Sequence, residues 1–235
     1  MRKLSDISVQ NKTVALRADL NVPIKDGIIL DDARIEAVIP TIKYLLSQDS
    51  KIILISHFGR PKAGTFDPKA SLQTVAKRIE DLLDYEVDLI SEIEEVKFKS
   101  TISLLENTRF LVGELENDAG LSKSLGSMAE VYVFDAFGTA HRKQASTFGA
   151  IHQANISSAG LLLEAEIEAL TRATKSKNRP LLSIVGGSKV STKLEVLKNL
   201  SQFSDYIITG GGITNTFLKA QGFNIGKSLF EESML

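Results

Sequence analysis

The chain has 235 residues, 43% hydrophobic, 24% charged and 6% aromatic, an ordinary globular composition with room for one or two domains. Twenty-eight Lys and Arg against 29 Asp and Glu leave a net charge of −1, which argues against a general nucleic-acid binder. The absence of Cys excludes disulfides, thiolate chemistry and zinc–thiolate sites, and no apolar run approaches the ~18 residues of a membrane span.

MRKLSDISVQ at the N-terminus has no apolar stretch of signal-peptide length, so the expected compartment is the cytoplasm. The three histidines, His57, His141 and His152, lack metal-motif spacing, and no protein-held metal is expected. Chemistry must rest mainly on Arg, Lys, carboxylates, hydroxyls and backbone.

In chain order, six short apolar runs predict strands: Val14–Arg17, Ile52–Ser56, Ile102–Leu105, Val131–Phe134, Leu181–Val185 and Tyr206–Thr209. Each is nearly continuous in apolar character, as parallel strands buried on both faces are. Helix-period stripes lie between them. Ile35, Val38, Ile39, Ile42, Leu45 and Leu46 form the first, with Pro40 expected to kink it or to mark its start. Leu72, Val75, Ala76, Ile79, Leu82 and Leu83 form the second. Leu163, Ile167 and Leu170 form the third, stopping at Lys175, Lys177, Arg179 and Pro180. Val190, Leu194, Leu197 and Leu200 form the fourth, and Ile213, Phe217 and Ala220 the last, with Gly222 as its cap.

The alternation predicts an α/β fold with a mostly parallel sheet. Residues 1–160 are expected as a Rossmann-like N-terminal domain, 161–179 as an interdomain helix and linker, and 180–235 as an incomplete Rossmann-like domain with two strands.

In such sheets ligands sit beyond the carboxyl ends of the strands. There the sequence places Asp19 and Asn21, then Ser56-His57-Phe-Gly-Arg60-Pro, Glu106-Asn-Thr-Arg109-Phe and Asp135-Ala-Phe-Gly-Thr-Ala-His141-Arg142. A single Arg at such a place is usually solvated, and a single His usually structural. Three arginines at strand ends of one sheet are harder to explain. Two like charges ~4 Å apart repel by about 1 kcal/mol in water and about 4 kcal/mol at a dielectric near 20. An anionic ligand reverses that sign, and guanidinium forks suit carboxylate and phosphate. With Asp19 and Asn21 as acceptors for hydroxyls, the residues predict a site for a small, hydroxylated phospho-acid.

Gly186-Gly187-Ser188 follows the fifth run and is expected to open a helix. That would place Lys189 and Lys193 on one helix face, facing phosphates at the positive end of its dipole. Gly210-Gly211-Gly212 precedes the next helix and admits a base, a phosphate or merely a tight turn. Gly222-Phe-Asn-Ile-Gly226-Lys227-Ser228 is not a P-loop: three residues separate its glycines instead of four, and it follows a helix.

Arg17-Ala-Asp19-Leu-Asn21-Val-Pro23, Ser56-His57-Phe-Gly-Arg60-Pro-Lys62, Glu106-Asn107-Thr-Arg109-Phe110, Asp135-Ala-Phe-Gly-Thr-Ala-His141-Arg142, Gly186-Gly-Ser-Lys189-Val-Ser-Thr-Lys193 and Gly210-Gly-Gly212 together resemble the signature segments of phosphoglycerate kinases, in order and spacing. The resemblance implies a monomeric, cytosolic glycolytic enzyme moving a phosphoryl group between 1,3-bisphosphoglycerate and ADP. The products are 3-phosphoglycerate and ATP, and Mg2+ is carried by the nucleotide. It implies that Asp19, Asn21, Arg34, His57, Arg60, Arg109 and Arg142 hold 3-phosphoglycerate, with Arg34 nearest the transferring group. Lys189 would steady that group and Lys193 the nucleotide phosphates, making Arg34, Lys189 and Lys193 the catalytic set. Gly187, Gly211 and Gly212 would border the nucleotide.

Two domains hinging about a helix near Leu161–Ala173 would close over the substrates and exclude water. Family members are much longer, so the sequence reads as a truncated kinase that binds 3-phosphoglycerate and turns over poorly. The competing reading is a non-catalytic phospho-acid-binding domain. A nicotinamide-linked dehydrogenase would need a Gly-x-Gly-x-x-Gly segment that the sequence lacks.

Overall fold

A computed structural model describes residues 1–93, 100–175 and 178–235. The chain divides into two compact units, Met1–Glu168 and Ala169–Leu235. Lys177, part of the expected helix stop, lies outside the described residues.

The first unit is built on a six-stranded sheet in the order β5-β6-β4-β1-β7-β8, parallel throughout. The strands are β1 (Thr13–Ala18), β4 (Lys51–Ile55), β5 (Val87–Ile90), β6 (Ile102–Leu105), β7 (Val131–Asp135) and β8 (Ser157–Ala159). Residue alternation sends β1 side chains to two cores. Val14, Leu16 and Ala18 pack with Ile52, Leu54, Leu104 and Val133 under α1 (Ala33–Leu46) and α2 (Gln73–Leu83). Ala15 packs on the other face with Ile53, Ile55 and Tyr132, under α3 (Ala119–Ser127) and α4 (Ala150–Gln153). A sheet covered on both faces is what the four continuous apolar runs of this unit predicted.

Pro40 sits inside α1, exposed, with no helix start at that point. It forfeits a backbone bond and strains the helix by ~3 kcal/mol. The opposite face buries Ile35, Val38, Ile42 and Leu45, each contributing about 1.5–3 kcal/mol, so packing outweighs the proline.

A two-residue hairpin, β2 (Ile24–Lys25) and β3 (Ile28–Ile29), turns through Asp26 and Gly27, both at positive φ. That is the geometry which favours Asp-Gly in tight hairpins.

In the second unit β9 (Leu182–Gly186) pairs in parallel with β10 (Tyr206–Gly210). Val185, Val190, Leu197 and Ile213 form its core with α6 (Leu194–Leu200) and α7 (Gly212–Ala220). The expected burial on both faces fails here. Leu182, Ile184, Tyr206 and Ile208 point to one face and are 48%, 72%, 63% and 50% exposed, because nothing among the described residues covers them.

The Val190–Leu200 stripe is also shorter than expected. A loop of turns runs from Gly187 to Lys193, and α6 opens only at Leu194. Gly222 caps α7 at φ +87°, with its N–H to the Lys219 carbonyl and the Phe223 N–H to the Leu218 carbonyl. This paired closure is the glycine-terminated helix end. The P-loop-like residues 222–228 thus begin as a helix cap.

α5 (Leu161–Lys175) begins in the first unit, where Lys3 Nζ pairs with Glu168 at 2.9 Å. The unit division falls within this helix.

Candidate functional site

β1 lies inside the first sheet between β4 and β7; the chain runs from β1 to β4, β5 and β6 on one side and then crosses back to β7 and β8 on the other. Loops from the carboxyl ends of these strands therefore splay apart and leave a crevice. After β1 come Asp19 and Asn21, after β4 His57 and Arg60, after β6 Arg109 and after β7 Arg142.

His57 is buried at their centre. Its Nε2 lies 3.2 Å from Arg142 Nη1 and its Nδ1 3.2 Å from Arg17 Nη2. Burial, then the charges of Arg17, Arg109, Arg142 and Arg34, push its pKa down to about 3, so the ring is neutral at physiological pH. Burial lowers the pKa of Arg109 too, and Arg142, Arg17 and Arg60 add repulsion while Glu114 opposes it. Of the three arginines expected at one sheet edge, Arg109 thus feels the charge of both Arg60 and Arg142.

Arg34, in the first turn of α1, pairs with Asp19 Oδ2 at 2.9 Å and is half exposed. Asn21 accepts the Gly59 N–H at 2.9 Å and ties the β1 loop to the β4 loop. Asn107 accepts the Phe58 and Arg109 N–H groups at 2.9 and 3.0 Å, which fixes the turn carrying Arg109. Arg109 Nε is buried with no hydrogen-bond partner, an unusual state for a guanidinium N–H.

Asp135 anchors the far wall. It accepts the Thr41 hydroxyl at 2.6 Å and the Leu163 N–H at 2.7 Å, so α1, β7 and α5 meet at one buried carboxylate. Burial raises its pKa. A Cβ at Gly160 would fall 2.3 Å from Asp135 Cγ, which is why glycine stands there. A cavity of about 310 Å³ opens beside it, lined among others by Asp19, Arg34, Phe137, Gly138 and Glu166.

The expected site residues leave out Arg17. It is fully buried, yet it is the group that touches His57 Nδ1. The signal was present: an Arg in the middle of an apolar strand is expensive unless it is paired.

In the second unit the expected helix face is corrected. Lys189 lies in the loop after β9 and Lys193 is the residue before α6, so the two do not share a helix face. A mostly apolar stripe from Val190 gave the wrong start, because Val190 is buried from a loop instead of from a helix. Gly187, Gly211 and Gly212 have packing reasons of their own. A Cβ at Gly212 would meet the Ser188 carbonyl at 2.3 Å, one at Gly211 the Gly187 carbonyl at 2.8 Å, and one at Gly187 the Ile213 side chain at 3.0 Å.

Among the described residues no cluster of three or more His, Asp or Glu is placed to hold a metal ion, and no helix is long and apolar enough to cross a membrane.

The chain is 49% identical over 234 residues to a phosphoglycerate kinase of Desulfovibrio desulfuricans, and 46% identical over 234 residues to one of Francisella tularensis. Each alignment spans 99% of this chain and 60% of the relative. Its fold matches the structure of phosphoglycerate kinase from Coxiella burnetii with a TM-score of 0.87 at 45% identity, covering 98% of this chain and 60% of that one. The Pyrococcus horikoshii phosphoglycerate kinase matches with a TM-score of 0.83 at 37% identity, covering 96% and 59%. Residues 4–235 match the family described as phosphoglycerate kinase, and with these relatives they place the chain in that family.

Proposed function

We propose that the first unit binds 3-phosphoglycerate through Asp19, Asn21, Arg34, His57, Arg60, Arg109 and Arg142. The observation that carries this is the crowding of arginines around a neutral His57, with a buried Arg109 N–H left unpaired. Such an arrangement is repulsive when empty, and an anion with several oxygens relieves it. Asp19 and Asn21 stand where hydroxyl groups of the same ligand need acceptors.

The reaction we assign is reversible phosphoryl transfer between 1,3-bisphosphoglycerate and ADP. The substrate carboxylate is already ionised, so it attacks without a general base, and the protein supplies position and positive charge. Arg34 stands nearest the transferring group. Lys189 steadies that group and Lys193 the nucleotide phosphates, Gly187, Gly211 and Gly212 border ATP or ADP, and Mg2+ arrives as part of the nucleotide substrate. Residues 1–160 form the acid-substrate domain, 161–179 the hinge and 180–235 a nucleotide-binding segment. The protein works as a cytoplasmic monomer on small molecules, with no nucleic-acid or membrane partner.

Lys189 and Lys193 do not share a helix face, which favours a second reading in which this chain binds the phospho-acid without nucleotide chemistry. Calorimetry separates the two. 3-Phosphoglycerate should bind the wild-type chain, and Arg60→Ala with Arg142→Ala should weaken it about 100-fold or more, the loss of two charge-assisted contacts. Unchanged affinity in the double variant would end the proposal. ADP–magnesium binding that is lost in Lys193→Ala supports the kinase reading over the second.

A further inference from the structure

One negative charge beside this cationic crevice, too few to offset its arginines, is inside the protein. Glu114, in the loop after the Arg109 turn, is buried, and its carboxylate accepts the Ser146 N–H at 2.9 Å and the Ser146 hydroxyl at 2.5 Å. Ser146 Oγ accepts Arg17 Nε–H at 3.0 Å, and the Ser146 carbonyl accepts the Tyr132 hydroxyl at 2.6 Å. The Ala145 N–H donates to the Glu114 carbonyl at 2.9 Å. Arg17, Glu114, Tyr132 and Ser146 are all buried.

Arg17 is therefore held from behind. Its Nε is taken by Ser146 and its Nη1 by the Ala18 carbonyl, which aims Nη2 at His57 Nδ1, 3.2 Å away. A guanidinium only donates hydrogen bonds, so the nitrogen facing it must offer a lone pair. Asp19 Oδ1, the competing acceptor for a proton on Nδ1, is 3.9 Å away and beyond hydrogen-bond reach.

We infer that Glu114 and Ser146 are positioning residues that clamp Arg17 and thereby confine His57 to the tautomer with its proton on Nε2. That N–H then faces Arg142 Nη1 at 3.2 Å, donor against donor. Arg142, unlike Arg17, is partly exposed and can yield. An anionic oxygen between them would accept from both, so the clamp turns His57 into a neutral donor for a phospho-acid. Only that last step rests on the proposed substrate.

Long-range proton–nitrogen correlation spectra of the 15N-labelled full chain at neutral pH test the tautomer without any ligand. The expected His57 pattern is an unprotonated Nδ1 and a protonated Nε2. In Ser146→Ala and in Glu114→Gln both tautomers should be populated, with 3-phosphoglycerate affinity about tenfold weaker, as for one lost charge-assisted contact. A wild-type proton on Nδ1 overturns the inference whether or not the variants fold. So does a folded Ser146→Ala or Glu114→Gln that keeps the pure Nε2–H pattern. A wild-type Nε2–H ring in a chain that ignores 3-phosphoglycerate sinks the substrate reading and leaves the clamp standing.

Discussion

β4 and β9 are both five-residue parallel strands with near-continuous apolar sequence, KIILI and LSIVG, yet they live in different surroundings. In β4 every residue from Ile52 to Ile55 is buried, with helices over both faces of the sheet. In β9 only Val185 is buried, and its pair partner β10 exposes Tyr206 and Ile208 on the same bare face as Leu182 and Ile184. An apolar run states what a strand would bury, and the layers around it decide how much it does bury. The stabilising area per residue is consequently concentrated in the first unit.

The largest effect comes from making one substitution in both settings. Ile53 on β4 is fully buried and Ile184 on β9 is 72% exposed. Ile53→Ala should lower the stability of the first unit by about 2–5 kcal/mol, through lost transfer and an unfilled cavity. Ile184→Ala should change the second by no more than about 0.5 kcal/mol. Urea unfolding followed by far-UV circular dichroism measures both, and comparable costs would mean that β9 is covered in solution.

Acid should separate the units next. An unfolded His titrates near 6.5, whereas His57 in the folded first unit titrates at about 3. Between those values the unfolded chain binds a proton that the native ring refuses. Its contribution is complete above the unfolded value and falls by about 1.4 kcal/mol per pH unit as the window is crossed downward. Asp135, with its raised pKa, slopes the opposite way above its ordinary range, so the informative quantity is the wild type minus His57→Gln. That difference should fall steadily, by about 1.4 kcal/mol per pH unit, from about pH 6 to about pH 4, within the His57 window. The second unit contains no His. Its shifted carboxylates are Glu231, held down by the Ser191 hydroxyl and N–H, and Asp205, held down by the Leu181 N–H and Arg179. Their contribution is present above the ordinary carboxylate range and lost only below it, so this unit should stay flat until about pH 4.5.

The same contrast explains what could be read from sequence. The central strands β1, β4, β6 and β7 were legible because double burial forces unbroken apolar runs. The edge strand β8, Ser157-Ser-Ala159, carries no such run, and the hairpin β2–β3 is only two residues to a side, though its Asp26-Gly27 turn was a usable sign. α3, Ala119-Gly-Leu-Ser-Lys-Ser-Leu-Gly-Ser127, is too poor in apolar residues to register a stripe and is set by the Asp118 cap on the Leu121 N–H. The gathering of Arg60, Arg109 and Arg142 followed from topology, since strand ends of one parallel sheet share an edge. Arg17 and Glu114 did not: an Arg inside an apolar strand says that a partner is needed, but Ser146, which joins the two, lies 129 residues from Arg17 and 32 from Glu114, and spacing does not name it. Lys189 and Lys193 were misplaced for a third reason: Val190 has the spacing of a helix and the backbone of a loop.

The smallest effect concerns whether the Gly-rich turn of the second unit exists for packing or for a ligand. The Ile213 N–H donates to the Gly187 carbonyl at 3.1 Å, so the β10–α7 turn lies backbone-on-backbone against the loop after β9. A methyl at Gly212 would stand 2.3 Å from the Ser188 carbonyl, which cannot swing aside as a side chain could. At Gly210 the nearest atom would be Gly186 Cα at 3.8 Å, an ordinary contact. Gly212→Ala should therefore cost the second unit about 1–3 kcal/mol of overpacking strain, with no nucleotide present, while Gly210→Ala stays near wild type. Native-state hydrogen exchange reads each unit separately, and the first should be untouched by either change. If Gly212→Ala left exchange in β9 and β10 unaltered and weakened only ADP binding, the glycine would be there for the nucleotide, and the second unit would be as loosely packed at this turn as on its bare sheet face.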